Sequence, residues 1–147
     1  DGSLNITGKG TIKELEPNYG AIMIKGSLDI NDTSYSTVNV SKDVTLEGWS
    51  GIFITHNNSK SYGVEVNFAG KIKSVNDTSG GSGVGIYVNG NIKDSNNAPN
   101  VTILDGAEIT SYLTGNDHEA EGFWNVNDVN KVNKIENEIG GIRRWIF

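Results

Sequence analysis

Apolar residues in this chain fall at alternate positions in short runs, and polar or glycine-rich turns close each run. "VGIYVNGNIK", Val84 to Lys93, is one example. Period-two alternation predicts strands with one buried face. One spacing recurs: apolar-x-apolar, five residues, apolar. It fits "LNITGKGTI" at Leu4, Ile6 and Ile12, and "VNVSKDVTL" at Val38, Val40 and Leu46. It also fits "VEVNFAGKI" at Val64, Val66 and Ile72, and "VTILDGAEI" at Val101, Ile103 and Ile109. A second series interleaves with the first: "GAIMI" (Ile22, Ile24), "GIFI" (Ile52, Ile54), "GIYV" (Ile86, Val88) and "GFWNV" (Phe123).

Constant motifs joined by connectors of unequal length are the signature of a coil with insertions in its loops. If each motif pair is one coil, equivalent aliphatics stack and backbone hydrogen bonds run between coils. About four coils then make a rod of roughly 20 Å. The expected fold is all-β, a right-handed parallel β-helix (solenoid) over residues 1–124. An antiparallel sandwich also has short alternating strands, but it has no need of one internal spacing four times. Residues 125–147 read as a C-terminal helix and tail, acting as a cap or as a contact between chains. In "NDVNKVNKIENEIGG", Asp128 can cap a short α-helix and Gly140-Gly141 can end it. Val129, Val132, Ile135 and Ile139 form its apolar stripe. Trp145 and Phe147 add to the surface through which a homo-oligomer would form.

Composition sharpens this picture. The 147 residues include 19 glycines, 2 prolines and no cysteine, with 35% hydrophobic content. That mix suits many short strands and polar turns, and it removes disulfides and thiolate metal sites. The formal net charge is −6 and only Arg143-Arg144 are adjacent basic residues of the arginine type, so no basic stripe tracks nucleic acid. No run is apolar and long enough to span a membrane. Asn-x-Ser/Thr sequons stand at Asn5, Asn31, Asn39, Asn57, Asn76 and Asn100, a number that chance partly explains in so Asn-, Ser- and Thr-rich a chain.

The stretch "GVGIYVNGNIKDSNNAPNVTILDGAEITS" resembles the coils of right-handed, pectate-lyase-like β-helices, especially the adhesive kind in bacterial surface proteins. The resemblance covers about residues 4 to 123 and rests on repeat style. It implies an extracellular or cell-surface location and leaves activity open, because such folds carry lyases, adhesins and phage tail spikes. "WNVNDVNKVNKIENEI" is similar to a segment of tail-associated proteins of phages infecting Gram-positive bacteria, except that Lys131 and Lys134 stand where an arginine often sits. It implies a virion location instead.

Catalytic chemistry finds little footing. Lyases of the resembling family use an arginine base and a calcium-binding carboxylate cluster, yet Arg143 and Arg144 lie outside the repeats. Register counting sets Glu65 beside Asn39 and Thr102, and Glu108 near Lys71 and Thr45, so neither finds a carboxylate partner. His56 and His118 lie in polar connectors. Asp94, Asp117, His118, Glu119 and Glu121 gather in two loops, but neither follows a calcium-loop spacing. No metal, cofactor or catalytic residue is assigned. "GKGTIK" and "SGGSGVG" read as turns, since neither has the Lys-Ser/Thr of a phosphate cradle.

One feature asks for a ligand. If Ile22/Ile24, Ile52/Ile54 and Ile86/Val88 point inward, then Met23, Phe53, Tyr87 and Trp124 point outward as a ladder. Lys25, Thr55 and Asn89 form the next outward row, and Trp49 can join the platform. Phe53, Tyr87, Trp124 and Trp49 are the candidate carbohydrate-binding residues; the competing expectation is that another element covers the row. The expected function is therefore a non-enzymatic extracellular module for adhesion or carbohydrate binding, its partner a glycan or cell-surface ligand. The alternatives are a structural subunit of a fibre, filament or phage tail, and a non-catalytic fragment of a polysaccharide lyase or hydrolase.

Overall fold

A computed structural model describes residues 2–15, 19–29, 31–55, 61–75, 84–88, 99–112 and 121–125. Twelve strands follow one another: β1 (Gly2–Ile6), β2 (Gly10–Lys13), β3 (Gly20–Ile24), β4 (Ser36–Val40), β5 (Val44–Gly48) and β6 (Ser50–Ile54), then β7 (Val64–Phe68), β8 (Lys71–Val75), β9 (Val84–Val88), β10 (Asn100–Ile103), β11 (Glu108–Tyr112) and β12 (Glu121–Asn125). They form three four-stranded sheets in the orders β1-β4-β7-β10, β2-β5-β8-β11 and β3-β6-β9-β12, and every pairing is parallel. Each successive triplet of strands places one strand in each sheet. The first triplet lies at one edge of all three sheets and the fourth at the other. The architecture is all-β and compatible with a β-solenoid, and the described residues include no helix. The expected helix over Asp128 to Ile139, with Val129, Val132, Ile135, Ile139, Trp145 and Phe147, lies outside the described residues.

The alternation has its expected consequence. In β5 and β7 every second residue is buried, Val44, Leu46 and Gly48 in one and Val64, Val66 and Phe68 in the other. One core cluster draws on all three sheets: Val38, Val66 and Val101 from the first, Leu46, Ile72 and Ile109 from the second, and Ile52, Ile54 and Ile86 from the third. Aliphatics of the same column sit in register, Ile12 beside Leu46, Leu46 beside Ile72, and Ile72 beside Ile109.

The recurring five-residue gap is a corner between the first and second sheets, so the first motif contains two strands. Backbone bonds continue through that corner: Ser41 N–H donates to Ile6 O, Ala69 N–H to Val40 O, and Leu104 N–H to Phe68 O. Gly8 (φ 94°) and Gly106 (φ 83°) supply the left-handed conformation that side chains resist. The third copy departs from the expected register. Val66 and Phe68, not Val64 and Val66, align with Val38 and Val40, and the corner after Phe68 is Ala69-Gly70 alone. The physical reason is Gly70, where a Cβ would lie 2.6 Å from Val44 O and 3.0 Å from Ser41 O; only glycine lets the shortened turn sit this close.

That shift of two corrects further expectations. Glu65 is in register with Thr37 and Asn100, not with Asn39 and Thr102; those two belong to Asn67. Glu108 does pair with Lys71, which pairs in turn with Thr45.

The second and third sheets meet through small residues. Ala21, Gly51, Gly85 and Gly122 occupy the second position of β3, β6, β9 and β12. A Cβ at Gly51 would come within 2.5 Å of the Ile72 side chain. The small column lets the sheets close.

Candidate functional site

Between β5 and β6 the chain turns from the second sheet to the third in one residue, Trp49. Gly48 and Ser50 flank it, both buried. The first triplet has six residues between its strands at the same corner, where the second has one, and two backbone bonds flank the one-residue corner: Glu14 N–H donates to Glu47 O, and Ser50 N–H to Tyr19 O. So sharp a corner leaves the indole no room in the core, and Trp49 is half-buried on the outer side.

There it meets the aromatic ladder. Met23 is in register with Phe53, Phe53 with Tyr87, and Tyr87 with Trp124, so the outward row is aligned as the alternation requires. Phe53 and Tyr87 stack with ring centroids 4.6 Å apart and planes 18° from parallel. The separation is close to the spacing of neighbouring strands, so the backbone itself sets the stack. Trp49 stands edge-on to Phe53 at 6.2 Å and 76°, and tilted against Tyr87 at 5.7 Å and 60°. Pairs of this kind contribute about 0.5–1.5 kcal/mol beyond area burial. Trp124 shares the register; its side chain lies outside what the structure describes.

The four aromatics are not equally available. Phe53 is 7% exposed, its ring held between neighbours, and a Cβ on the adjacent Gly20 would lie 2.7 Å from its own Cβ. Tyr87 and Trp49 are half-buried, and Met23 is exposed at the edge. Burial raises the pKa of the Tyr87 hydroxyl above the ordinary 10.0, because the phenolate loses hydration there. The hydroxyl is thus protonated at neutral pH and can donate. Of the next row, Lys25 is exposed, but Thr55 is 2% exposed and does not face solvent. The strand has ended at Ile54, and Thr55 N–H donates to Ile24 O. Asn89 lies outside the described residues.

A second ordered row was hidden by the shift in the third copy. On the outer face of the first sheet, Asn39 Nδ2 donates to Asn5 Oδ1 at 2.8 Å, and Asn67 Nδ2 to Asn39 Oδ1 at 2.9 Å. The signal was present as Asn between two apolar residues in "LNI", "VNV" and "VNF". Alongside, Thr37 Oγ1 donates to Glu65 Oε2 at 3.5 Å. On the second sheet Lys13 bonds Glu47 at 2.6 Å and Lys71 meets Glu108 at 3.2 Å.

Chemically, the third sheet carries a packed aromatic cluster, two rings stacked on each other and the Trp49 indole set across them, with one phenolic donor at its half-buried side. Among the described residues no three His, Cys, Asp or Glu side chains converge as metal ligands, and no helix is long and apolar enough to cross a membrane. His56, Asp94, Asp117, His118, Glu119, Arg143 and Arg144 lie outside the described residues. No known protein family, no curated protein and no solved structure matches this chain.

Proposed function

We propose that the three sheets close into a right-handed parallel β-helix of about four coils, each strand triplet one coil, with a short C-terminal α-helix, and that the molecule is a non-enzymatic extracellular module binding carbohydrate. Right-handedness follows from the strong preference of parallel crossovers for that hand, about 98% of cases. A cap drawn from residues 125–147 agrees with the burial of Val101, Ile103 and Ile109 in the last triplet.

The observation that carries the functional reading is the Phe53–Tyr87 stack with Trp49 set against it. Sugar rings present a flat C–H face that packs on aromatic faces, while their hydroxyls need polar partners. Phe53 is the floor, Tyr87 and Trp49 are the open surfaces, and Trp124 extends the row by register. The carbohydrate is a glycan at a cell or host surface.

Glycan-array binding followed by titration of tryptophan fluorescence tests this. Binding of one glycan class, lost in Tyr87→Ala and Trp49→Ala variants that remain folded and unfold cooperatively, is the expected result. Absence of binding to any sugar, or appearance of new reducing ends or unsaturated products, would overturn it.

A further inference from the structure

Ser61, Tyr62 and Gly63, just ahead of β7, hold both ends of the connector that joins β3 to β4. At its entry Gly26 N–H donates to Ser61 Oγ at 2.7 Å, and Ser27 and Tyr62 exchange both backbone hydrogen bonds at 2.9 Å. That exchange is antiparallel, whereas every strand pairing in the three sheets is parallel. At its exit Ser36 N–H donates to Gly63 O at 2.8 Å as β4 begins. Ser61 is wholly buried, and Tyr62 belongs to the core. The fit at the entry is close, since a Cβ at Gly26 would fall onto Tyr62 O. Between the two ends the chain is exposed at Leu28, Asp29, Asn31, Thr33 and Ser34. It is shaped there by bonds of its own: Asp32 N–H donates to Asp29 O at 3.1 Å, and Ser34 N–H to Asp32 Oδ1 at 2.9 Å.

We propose that Ser61, Tyr62 and Gly63 act as a clasp, closing the neck of this connector against the core so that the loop outside it changes shape or length without loosening the strands. When a third segment fixes both ends of a loop, the neck bonds set the distance between those ends, and the loop does not. The cost of closing the loop then grows only slowly with its length. Compact loops with their ends held together are frequent carriers of function. This neck makes residues 28–35 a place where the molecule can host variation, as connectors of unequal length require. The clasp also couples its two sides. Entry and exit share one partner segment, so a disturbance at Gly26 reaches Ser36 through Ser61, Tyr62 and Gly63. None of these residues belongs to the aromatic cluster, and the carbohydrate reading does not depend on them.

Native-state hydrogen exchange tests the clasp. The amides of Ser27, Ser36 and Tyr62 should be protected like those of the neighbouring strands, and those of Asn31 and Ser34 should exchange sooner. Gly26→Ala, which forces the entry apart, should speed exchange at Ser27, Tyr62 and Ser36 together, by about fivefold or more, as for one lost hydrogen bond. A short glycine insertion between Asp32 and Thr33 should leave all three unchanged. Ser36 unmoved by Gly26→Ala would show that the two ends are independent, and faster exchange at all three sites after the insertion would show that the loop sets the neck. Either result overturns the proposal. Ser61→Ala removes a single side-chain bond and should give the same three-site pattern at smaller size, which decides the matter if Gly26→Ala fails to fold.

Discussion

Phe53 and Tyr87 occupy register-paired positions on adjacent parallel strands, with rings 4.6 Å apart and nearly parallel, yet only Tyr87 reaches solvent. Two residues of one ladder therefore have different duties. Phe53→Ala should destabilise the fold by about 3 kcal/mol, as for a buried aromatic. Tyr87→Ala should cost clearly less and show its main effect in ligand binding. Chemical denaturation of both variants checks the order; the reverse order would show that the stack is anchored from the other ring.

Alkaline pH separates the same pair. Because the folded-state pKa of Tyr87 is raised above 10.0, its contribution is fully present below the unfolded value and is lost as pH rises through the folded value. Unfolding midpoints should fall above about pH 10, and Tyr87→Phe should fall less steeply. Parallel alkaline curves for parent and variant would contradict this.

Val66 is wholly buried, whereas Thr45 lies half-exposed beside Lys71 in the register of another sheet. Val66→Asp should destabilise strongly, by several kcal/mol, because its charge is buried without a partner. Thr45→Asp should change stability by less than about 1 kcal/mol. Equal midpoints would mean that the inward column has been misplaced.

Two glycines test two causes. Gly8 has open space around a Cβ but a φ of 94°, whereas Gly70 lacks a positive φ and has a backbone oxygen in the way. Gly8→Ala should cost about 1 kcal/mol from conformation alone. Gly70→Ala should cost more, about 1–3 kcal/mol, because the corner must move. Thermal denaturation ranks them, and a larger loss at Gly8 would point to strain, not crowding, as the constraint on these corners.

The asparagine row should behave as a unit. Asn39 donates to Asn5 and accepts from Asn67, so Asn39→Ala removes two hydrogen bonds at a half-buried position. A loss of about 1–2 kcal/mol is expected. In double-mutant cycles Asn5 and Asn67 should each couple to Asn39 but not to one another.

Strand alternation and the outward aromatic row were legible because a period of two is imposed by the backbone and survives variable loops. The position of Phe53 between Met23 and Tyr87 needed nothing more. The third copy breaks the rule because "VEVNF" contains three apolar residues at alternate places: Val64-Val66 keeps the five-residue gap to Ile72, whereas Val66-Phe68, the pair in register with Val38 and Val40, leaves a gap of three. Only the closeness of Gly70 to Val44 O selects the second. The asparagine row followed from that choice and was obscured with it. Burial of Phe53 was not legible either. It depends on Trp49, placed there by a one-residue corner, and alternation carries no information about how tightly a chain turns. Thr55 obeys a related limit: alternation holds only as far as Ile54, where the strand ends, and says nothing of the direction of the residue beyond it.

Every inter-triplet hydrogen bond in the three sheets points along the stack, so the molecule should have a soft and a stiff mechanical direction. Tension applied between Gly2 and the far end of the stack would load those bonds one after another, opening the first triplet like a zipper. Tension along the strands would load many bonds together in shear. Since the strands of each triplet pair only with those of the adjacent triplets, as in stacked repeats generally, axial pulling should release the chain in discrete lengths, the first near the 34-residue offset that separates Asn5 from Asn39. Force spectroscopy with attachment points moved between these two directions would register the difference as low, stepwise rupture against a single high peak.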